Sequence, residues 1–513
     1  MSQVINSPIA STPVALPSTH NIGQRPKAEV RMIVGFMVLV ACIYALPLVA
    51  AYALQHKLLY AETPDDSFYE TRVITLLRGD SLGNPYLPEH AKVARYMPEL
   101  VERVFAWIIL TTHAALLPFI AVTRVLFPVL ICLLAYGLAR RLELEPLTAL
   151  LTGCCTVFAP SLSLGGYTLR YFRVISPAAY IVMVMATLLL IERVWRKAGW
   201  YSAWLAGGTV GLLFYTPVYY WSFVLLGLGL LALLSPGRTR LALLTSAALA
   251  LLLGTPSLLH SARLSGDPAV GETLARLGLM VSGRTPETGV LPRLLIGLVL
   301  VGLAFWFRAK RFRWAAFVLP FAVAGSFMLV QNVVTNRHFQ AYHMISCLMP
   351  LAALVIGGSF QACRLQRAWS CAAIAVVIVL GAAGQISGYG EWLRNSKKTP
   401  AQYALDSAFP RTLAWLNSQT PAQSVVVFPE SMASAAPLFS RNGVYVGHHI
   451  AQYVMTNREF NSRREARESW SPGKELPYRA DYVLLLGKSC RQWQSEAVFR
   501  DPGEDTCIFL PHF

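Results

Sequence analysis

Met32–Leu54 reads MIVGFMVLVACIYALPLVAAYAL, an apolar run without a single charge. Its length matches the roughly 20 residues that an α-helix needs to cross the hydrocarbon of a bilayer. It follows a leader rich in Ser, Pro and Thr that ends in Arg25, Lys27 and Arg31. Residues 1–31 therefore read as a disordered cytoplasmic tail and 32–54 as an uncleaved anchor. A cleavable signal peptide, which the Ala51/Ala53 pair suggests, is disfavoured by the long apolar run and the extended leader. The rest of the chain has the same character: 513 residues are 55% hydrophobic and only 14% charged, with mean hydropathy +0.47. Soluble domains carry about 25% charge, so a soluble or disordered protein is excluded.

Ten further runs of spanning character lie at about 124–140, 146–164, 174–192, 200–217, 220–235, 241–259, 290–306, 314–332, 343–360 and 370–387. The two around 200–235 are short and joined by the aromatic turn Tyr215–Trp221, so their division is open. Residues 99–122 are also apolar, but begin with Glu99, Glu102 and Arg103 and carry His113. The positive-inside bias decides their place. If 99–122 lies in the interface and the N-terminus is inside, Arg140/Arg141, Arg193/Arg196/Lys197, Arg238/Arg240, Arg308/Lys310/Arg311/Arg313 and Arg364/Arg367 all fall inside. Together with the N-terminal edge 1–31, those edges then carry +12 of the net +17. Basicity orients the chain and does not point to a nucleic acid. The expectation is a polytopic α-helical membrane protein of about eleven spans, with its C-terminus outside.

After Gly388 the composition turns polar. Strand-like runs at 424–428, 444–447, 482–486 and 507–510, with helical patterns near 411–418 and 459–468, predict a small α/β domain over 389–513. Cys490 and Cys507 lie in it and either pair, if the domain is outside the cytoplasm, or remain two thiols.

Polar groups gather on the external side. The first external loop holds Asp65, Asp66, Glu70, Arg72, Arg78, Asp80 and the turn Gly83-Asn84-Pro85-Tyr86. Adjacent carboxylates suit a divalent cation or a general base, while Pro64-Asp65-Asp66-Ser67 taken alone reads first as a helix cap. The turn with Tyr167, Arg170, Tyr171 and Arg173 places arginines where topology does not ask for them; they hold a phosphate or anchor the interface. Arg337, His338, Gln340 and His343 enter a span from outside, fitting a polar cavity or a solvated loop. Arg276 lies on an amphipathic segment that can face a lipid headgroup. No P-loop, GxSxG elbow or zinc signature occurs in the chain.

Asp65-Asp66-Ser67-Phe68-Tyr69, followed by Arg72, Gly79-Asp80 and Gly83-Asn84-Pro85-Tyr86, resembles the first external loop of GT-C type membrane glycosyltransferases, in particular uncharacterised bacterial branches. The Arg170–Pro177 and Asn336–His343 segments and the overall plan are similar to that branch as well; the likeness covers most of the chain through degenerate motifs. It implies a GT-C-like module over 32–388, with a long first external loop, 55–123, and an extracytoplasmic domain over 389–513. It implies a multi-pass protein of the inner (cytoplasmic) membrane that moves a sugar from a polyprenyl-phosphate-linked donor to a glycan, lipid or protein acceptor on the periplasmic face. Asp65 or Asp66 would be the base or hold a divalent cation (Mg or Mn). Arg72, Arg170, Arg173, Arg276, Arg337, His338, Gln340 and His343 would bind substrate phosphate. Family members that use a metal, such as oligosaccharyltransferases, carry further acids in the second external loop; here that turn is basic, which favours the base role. Two other classes compete. A transporter or lipid-carrier flippase would show partnered midplane charges or internal repeats, and neither is evident. A non-catalytic assembly subunit would act through its terminal domain.

Overall fold

The computed structural model describes residues 27–56, 58, 64–80, 82–93, 97–163, 173–277, 283–285, 289–337, 341–365, 367–403, 405–447 and 453–511. Among them eleven apolar helices form a bundle: α1 (Lys27–Gln55), α4 (Leu116–Arg141), α5 (Pro146–Ser163), α6 (Tyr180–Lys197), α7 (Trp200–Leu213), α8 (Val218–Leu233), α9 (Gly237–Leu264), α11 (Val290–Ala309), α12 (Arg313–Leu329), α14 (Ile345–Ala362) and α15 (Arg367–Lys398). Seven are long and apolar enough to cross a membrane, counting the turn Val174–Ala179 with α6; Pro146–Ala159, Val218–Leu233 and Arg313–Leu329 are shorter apolar helices. The chain is therefore a multi-pass membrane protein. α7, at 14 residues, is about 21 Å long and shorter than the hydrocarbon core. The open division at 200–235 resolves into two short helices, α7 and α8, because Pro217 stands between them and starts the second. The first 26 residues lie outside the described ones.

Interior and lipid-facing helices differ in composition. α12 buries Trp314, Phe317 and Phe321, and α6 buries Val184, Met185, Leu188 and Ile191. α11 instead presents Leu291, Leu295, Phe305 and Trp306 outward, an apolar surface that fits lipid. Small residues let helices approach: at Gly357 and Gly358 of α14 a Cβ would collide with Thr152 of α5 and the Trp314 ring of α12.

The segment 99–122 is two elements. α3 (Leu100–Thr112) ends where His113 turns left-handed, and α4 starts at Leu116, so 116–122 form the opening turns of α4. The outward face of α3 carries Trp107 and Leu110. The first loop also holds α2 (Pro64–Leu77), α10 (Pro268–Arg276) follows α9, and α13 (Asn332–Thr335) is a single turn.

One end of the bundle is laced by ion pairs from the basic clusters. Glu29 meets Arg140 (3.0 Å), Glu192 meets Arg196 (3.5 Å) and Arg141 (3.7 Å), and Glu143 meets Arg313 (2.6 Å). The opposite end bears α2, α3 and the terminal domain.

That domain opens with α16 (Pro400–Tyr403), α17 (Leu405–Ala408) and α18 (Pro410–Gln419), and continues β1 (Val425–Val427), α19 (Glu430–Ala433), α20 (Ala436–Phe439), β2 (Gly443–Val444), α21 (Asn457–Ser469), β3 (Tyr482–Leu486), α22 (Gly487–Trp493), β4 (Phe499–Asp501) and β5 (Thr506–Phe509). Strand order is β2-β1-β3-β5-β4. β1 is parallel to β2 and β3, and β5 is antiparallel to β3 and β4. Cys490 and Cys507 form a disulfide. Phe68, Tyr86 and Leu87 of the first loop lie within the domain's hydrophobic core, and the Val444 amide donates to the Tyr86 carbonyl (2.6 Å). Loop and domain are thus packed as one layer.

Candidate active site

Pro64 starts α2, and Asp65 and Asp66 occupy its first turn. Proline is preorganised there, and carboxylates suit the positive helix end. The capping reading and the functional reading thus apply to the same residues. Helical spacing then places Asp66 and Glu70 on one face, and both are buried together with Ser67, Thr71 and Val73.

Arg173 stands just before the π-helical turn Val174–Ala179 that leads into α6. Its Nη2 donates to Asp65 at 2.9 Å, and its Nε lies 3.6 Å from Asp66. Asp65 is half exposed, whereas Asp66 is 7% exposed and Arg173 12%. The pair therefore has one open carboxylate and one closed one. Tyr69 is partly buried beside them with Ser176 near its hydroxyl, and loss of solvent pushes the phenol up to about 12; at neutral pH it remains a hydrogen-bond donor.

Two further ion pairs lie on α2. Glu70 is 3.4 Å from Arg124 of α4, and both are almost wholly buried. Burial holds the Glu70 carboxyl well above the usual carboxylate range, against the pull of Arg124. Arg72 donates to Glu102 of α3 (2.8 Å) and to the Pro98 carbonyl (2.7 Å), with its guanidinium over the Phe68 ring. Burial opposes its charge, but the Glu102 carboxylate raises the guanidinium above its ordinary value. Arg72 thereby ties α2 to α3.

His343 stacks on Tyr219 with ring centroids 4.8 Å apart and planes within 6°. Tyr219 adjoins Tyr220 (4.6 Å), and Tyr220 adjoins Tyr180 of α6 (5.1 Å). Tyr180 lies within electrostatic reach of Tyr69, Arg72 and Glu102. A row of aromatic rings thus joins His343 to the α2 cluster.

Other residues singled out from the sequence sit elsewhere. Arg276 donates to Asn457 (2.5 Å) and to the Met455 carbonyl (2.8 Å), and lies over Phe460, so it docks α10 on the terminal domain. Arg337 is exposed after α13, its carbonyl accepting from Gln331 (2.7 Å). Arg170, His338 and Gln340, with Tyr167 and Tyr171, lie outside the described residues. Sequence reading passed over Arg124 and Tyr180. A lone arginine near the start of an apolar run was the available signal for Arg124; nothing local marked Tyr180.

For a divalent cation, the Asp65/Asp66 pair fits poorly, because the Arg173 guanidinium already lies against both carboxylates. Among the described residues, Glu89, His90 and Glu459 offer three ligand atoms within 4.8 Å of one another. Arg463 pairs with both of those glutamates, so a cationic group is already in place there.

The arrangement can take a proton at Asp65, hold a phosphate oxyanion at Arg173, and support a ring or chain along the tyrosine row. No family model and no curated protein matches the sequence. Among solved structures, the chain is similar to ArnT from Cupriavidus metallidurans bound to undecaprenyl phosphate, with 14% identity and TM-score 0.57 over 94% of this chain and 98% of that one. It is also similar to the Archaeoglobus fulgidus oligosaccharyltransferase in the apo form (11%, TM-score 0.53, 88% and 69% covered). A third likeness is to AglB of that organism, in complex with an inhibitory peptide and a dolichol-phosphate (12%, TM-score 0.51, 90% and 70%). The likeness shows the fold, the GT-C plan expected from the sequence.

Proposed function

We propose that the protein is an integral-membrane glycosyltransferase that moves a sugar from a polyprenyl-phosphate-linked donor to a hydroxyl-bearing acceptor on the external face. One observation carries this reading: Asp65 and Arg173, 108 residues apart, meet at the end of the bundle where the loops and the terminal domain gather. A base and a phosphate-binding cation side by side are what transfer from a phosphate leaving group requires. The fold shared with a structure bound to undecaprenyl phosphate supports a lipid donor.

In this reaction the acceptor hydroxyl attacks the anomeric carbon while its proton passes to Asp65, the exposed carboxylate. The bond from the anomeric carbon to the phosphate oxygen breaks, and the charge left on the polyprenyl phosphate is met by Arg173. Asp66, buried below, keeps the guanidinium oriented. No step is routed through a divalent ion, since Arg173 stands where one would bind.

We place the protein in the inner (cytoplasmic) membrane, with its N-terminus in the cytoplasm and the sheet domain outside it. The basic helix ends lie together at the opposite end from the site, as the positive-inside bias requires, and the Cys490–Cys507 bond suits an oxidising compartment.

The test is transfer from a synthetic polyprenyl-phosphate sugar in proteoliposomes. Asp65→Asn should lower kcat about 10²–10⁴-fold with little change in donor KM. Undiminished turnover in the Asp65→Asn/Asp66→Asn double variant removes the proposed centre.

A further inference from the structure

In the terminal domain the chain leaves β1 through α19 and α20 to β2 on one side, and leaves the neighbouring parallel strand β3 through α22 to β4 on the other. The two connections diverge at the carboxyl ends of adjacent parallel strands. In open α/β sheets a ligand crevice lies at this switch point. Here a cavity of about 250 Å³ opens there, between Phe428 at the end of β1, Leu484 and Leu486 of β3, Arg467 of α21 and Ser489 of α22.

Its chemistry is uneven. The inner wall is apolar: Phe428 and Leu484 are buried core side chains. The polar lining is Arg467 and Ser489, and two carboxylates stand next to Arg467 outside the lining. Arg467 pairs with Glu430, in the first turn after β1, and lies 3.5 Å from Glu468. Both carboxylates are at least half exposed. One guanidinium facing two carboxylates leaves no surplus positive charge for an anion, and the polar rim does not match a purely apolar ligand. A neutral polyhydroxylated ring matches both surfaces. Carboxylates accept from hydroxyls, the guanidinium and Ser489 donate to ring and hydroxyl oxygens, and an apolar wall receives the C–H face of a pyranose. The wall bearing Ser489 is held in place, because the next residue, Cys490, is bonded to Cys507 of β5.

We propose that this crevice is a second carbohydrate site, taking one neutral sugar unit of a glycan outside the catalytic centre. Binding in the crevice stands independently of catalysis; the role of that glycan as the acceptor's distal end rests on the transferase reading.

The experiment uses the full-length protein in nanodiscs, with methyl glycosides of glucose, galactose and N-acetylglucosamine as probes and saturation-transfer NMR as readout. At least one glycoside should bind saturably and be displaced by no concentration of inorganic phosphate up to tens of millimolar. Ser489→Trp, which fills the mouth from an exposed position, should weaken that binding at least tenfold, and so should Glu430→Gln, which removes an acceptor without changing shape. Asp65→Asn should leave it unchanged while lowering transfer about 10²–10⁴-fold, which separates this site from the catalytic one. The proposal is overturned if none of the three glycosides binds saturably, if phosphate displaces the bound one, or if Ser489→Trp and Glu430→Gln both bind as the parent does.

Discussion

Arg173 Nη2 and the Asp65 carboxylate stand 2.9 Å apart across 108 residues of sequence. α2 supplies one partner and the turn before α6 the other, so the pair exists only when loop and bundle are docked. Arg173 lies against Asp66 as well, and the three side chains act as one unit.

Arg173→Gln should lower kcat/KM about 10²–10³-fold, the usual loss when a donor to a developing oxyanion is removed. Arg173→Lys keeps the charge but loses the planar fork, and should recover only part of the rate. Because the group is coupled, Arg173→Gln with Asp65→Asn should cost less than the two single losses combined. Steady-state kinetics in proteoliposomes checks this, and strict additivity would show the two side chains acting independently.

The Arg72–Glu102 pair is structural. Both side chains are at most 2% exposed, and leaving one buried charge alone costs about 3–5 kcal/mol. Glu102→Leu should lower the thermal midpoint in nanodiscs markedly, whereas Arg72→Met/Glu102→Leu together should restore most of it. If the single variant melts like the parent, the pair does not hold α2 to α3.

Glu70 sets a pH dependence of stability. Burial raises its carboxyl in the folded chain, despite Arg124, so the folded state binds the proton more tightly than the unfolded one. That contribution is complete below the ordinary glutamate value and is lost as pH rises through the raised folded one. Glu70→Gln should remove it, so that the fall in thermal midpoint between pH 5 and pH 9 is shallower than in the parent. An unchanged slope would assign the dependence to other groups.

The Cys490–Cys507 bond closes a loop with a sequence separation of 17, worth about 3 kcal/mol by loop entropy. Cys490→Ser should destabilise the terminal domain by about that amount, read as earlier protease cleavage between 400 and 511 on warming. In intact cells neither thiol should react with maleimide before reduction. Labelling without reductant would place the domain in a reducing compartment.

Cysteine-accessibility mapping in intact cells should find Lys310→Cys protected from an impermeant reagent and Arg441→Cys labelled. The reverse pattern would invert the proposed orientation.

Much of this fold is legible in the chain itself. Apolar runs of bilayer length report spanning helices whatever they pack against, because lipid is the solvent and every backbone group must be satisfied within the helix. The run at 343–360 is α14 within two residues, and 482–486 is β3. Short elements were not legible: β4, α19, α20 and α22 have too few residues to show a period. α15 continues past the composition change at Gly388 to Lys398, since polarity alone does not end a helix and no proline intervenes before Pro400.

From residue order alone come the apolar spans, the basic clusters at one end of them, the sheet domain and the acidic turn at Asp65. Which arginine meets which carboxylate was settled only in three dimensions. Arg72, near the acids in sequence, turns to Glu102 and the Pro98 carbonyl, while Arg173, just before the turn into α6, and Arg124 of α4 arrive from elsewhere in the chain to face α2. The physical reason is that a buried charge takes the partner that packing brings within a few ångströms, and packing is a property of whole helix faces rather than of neighbouring residues.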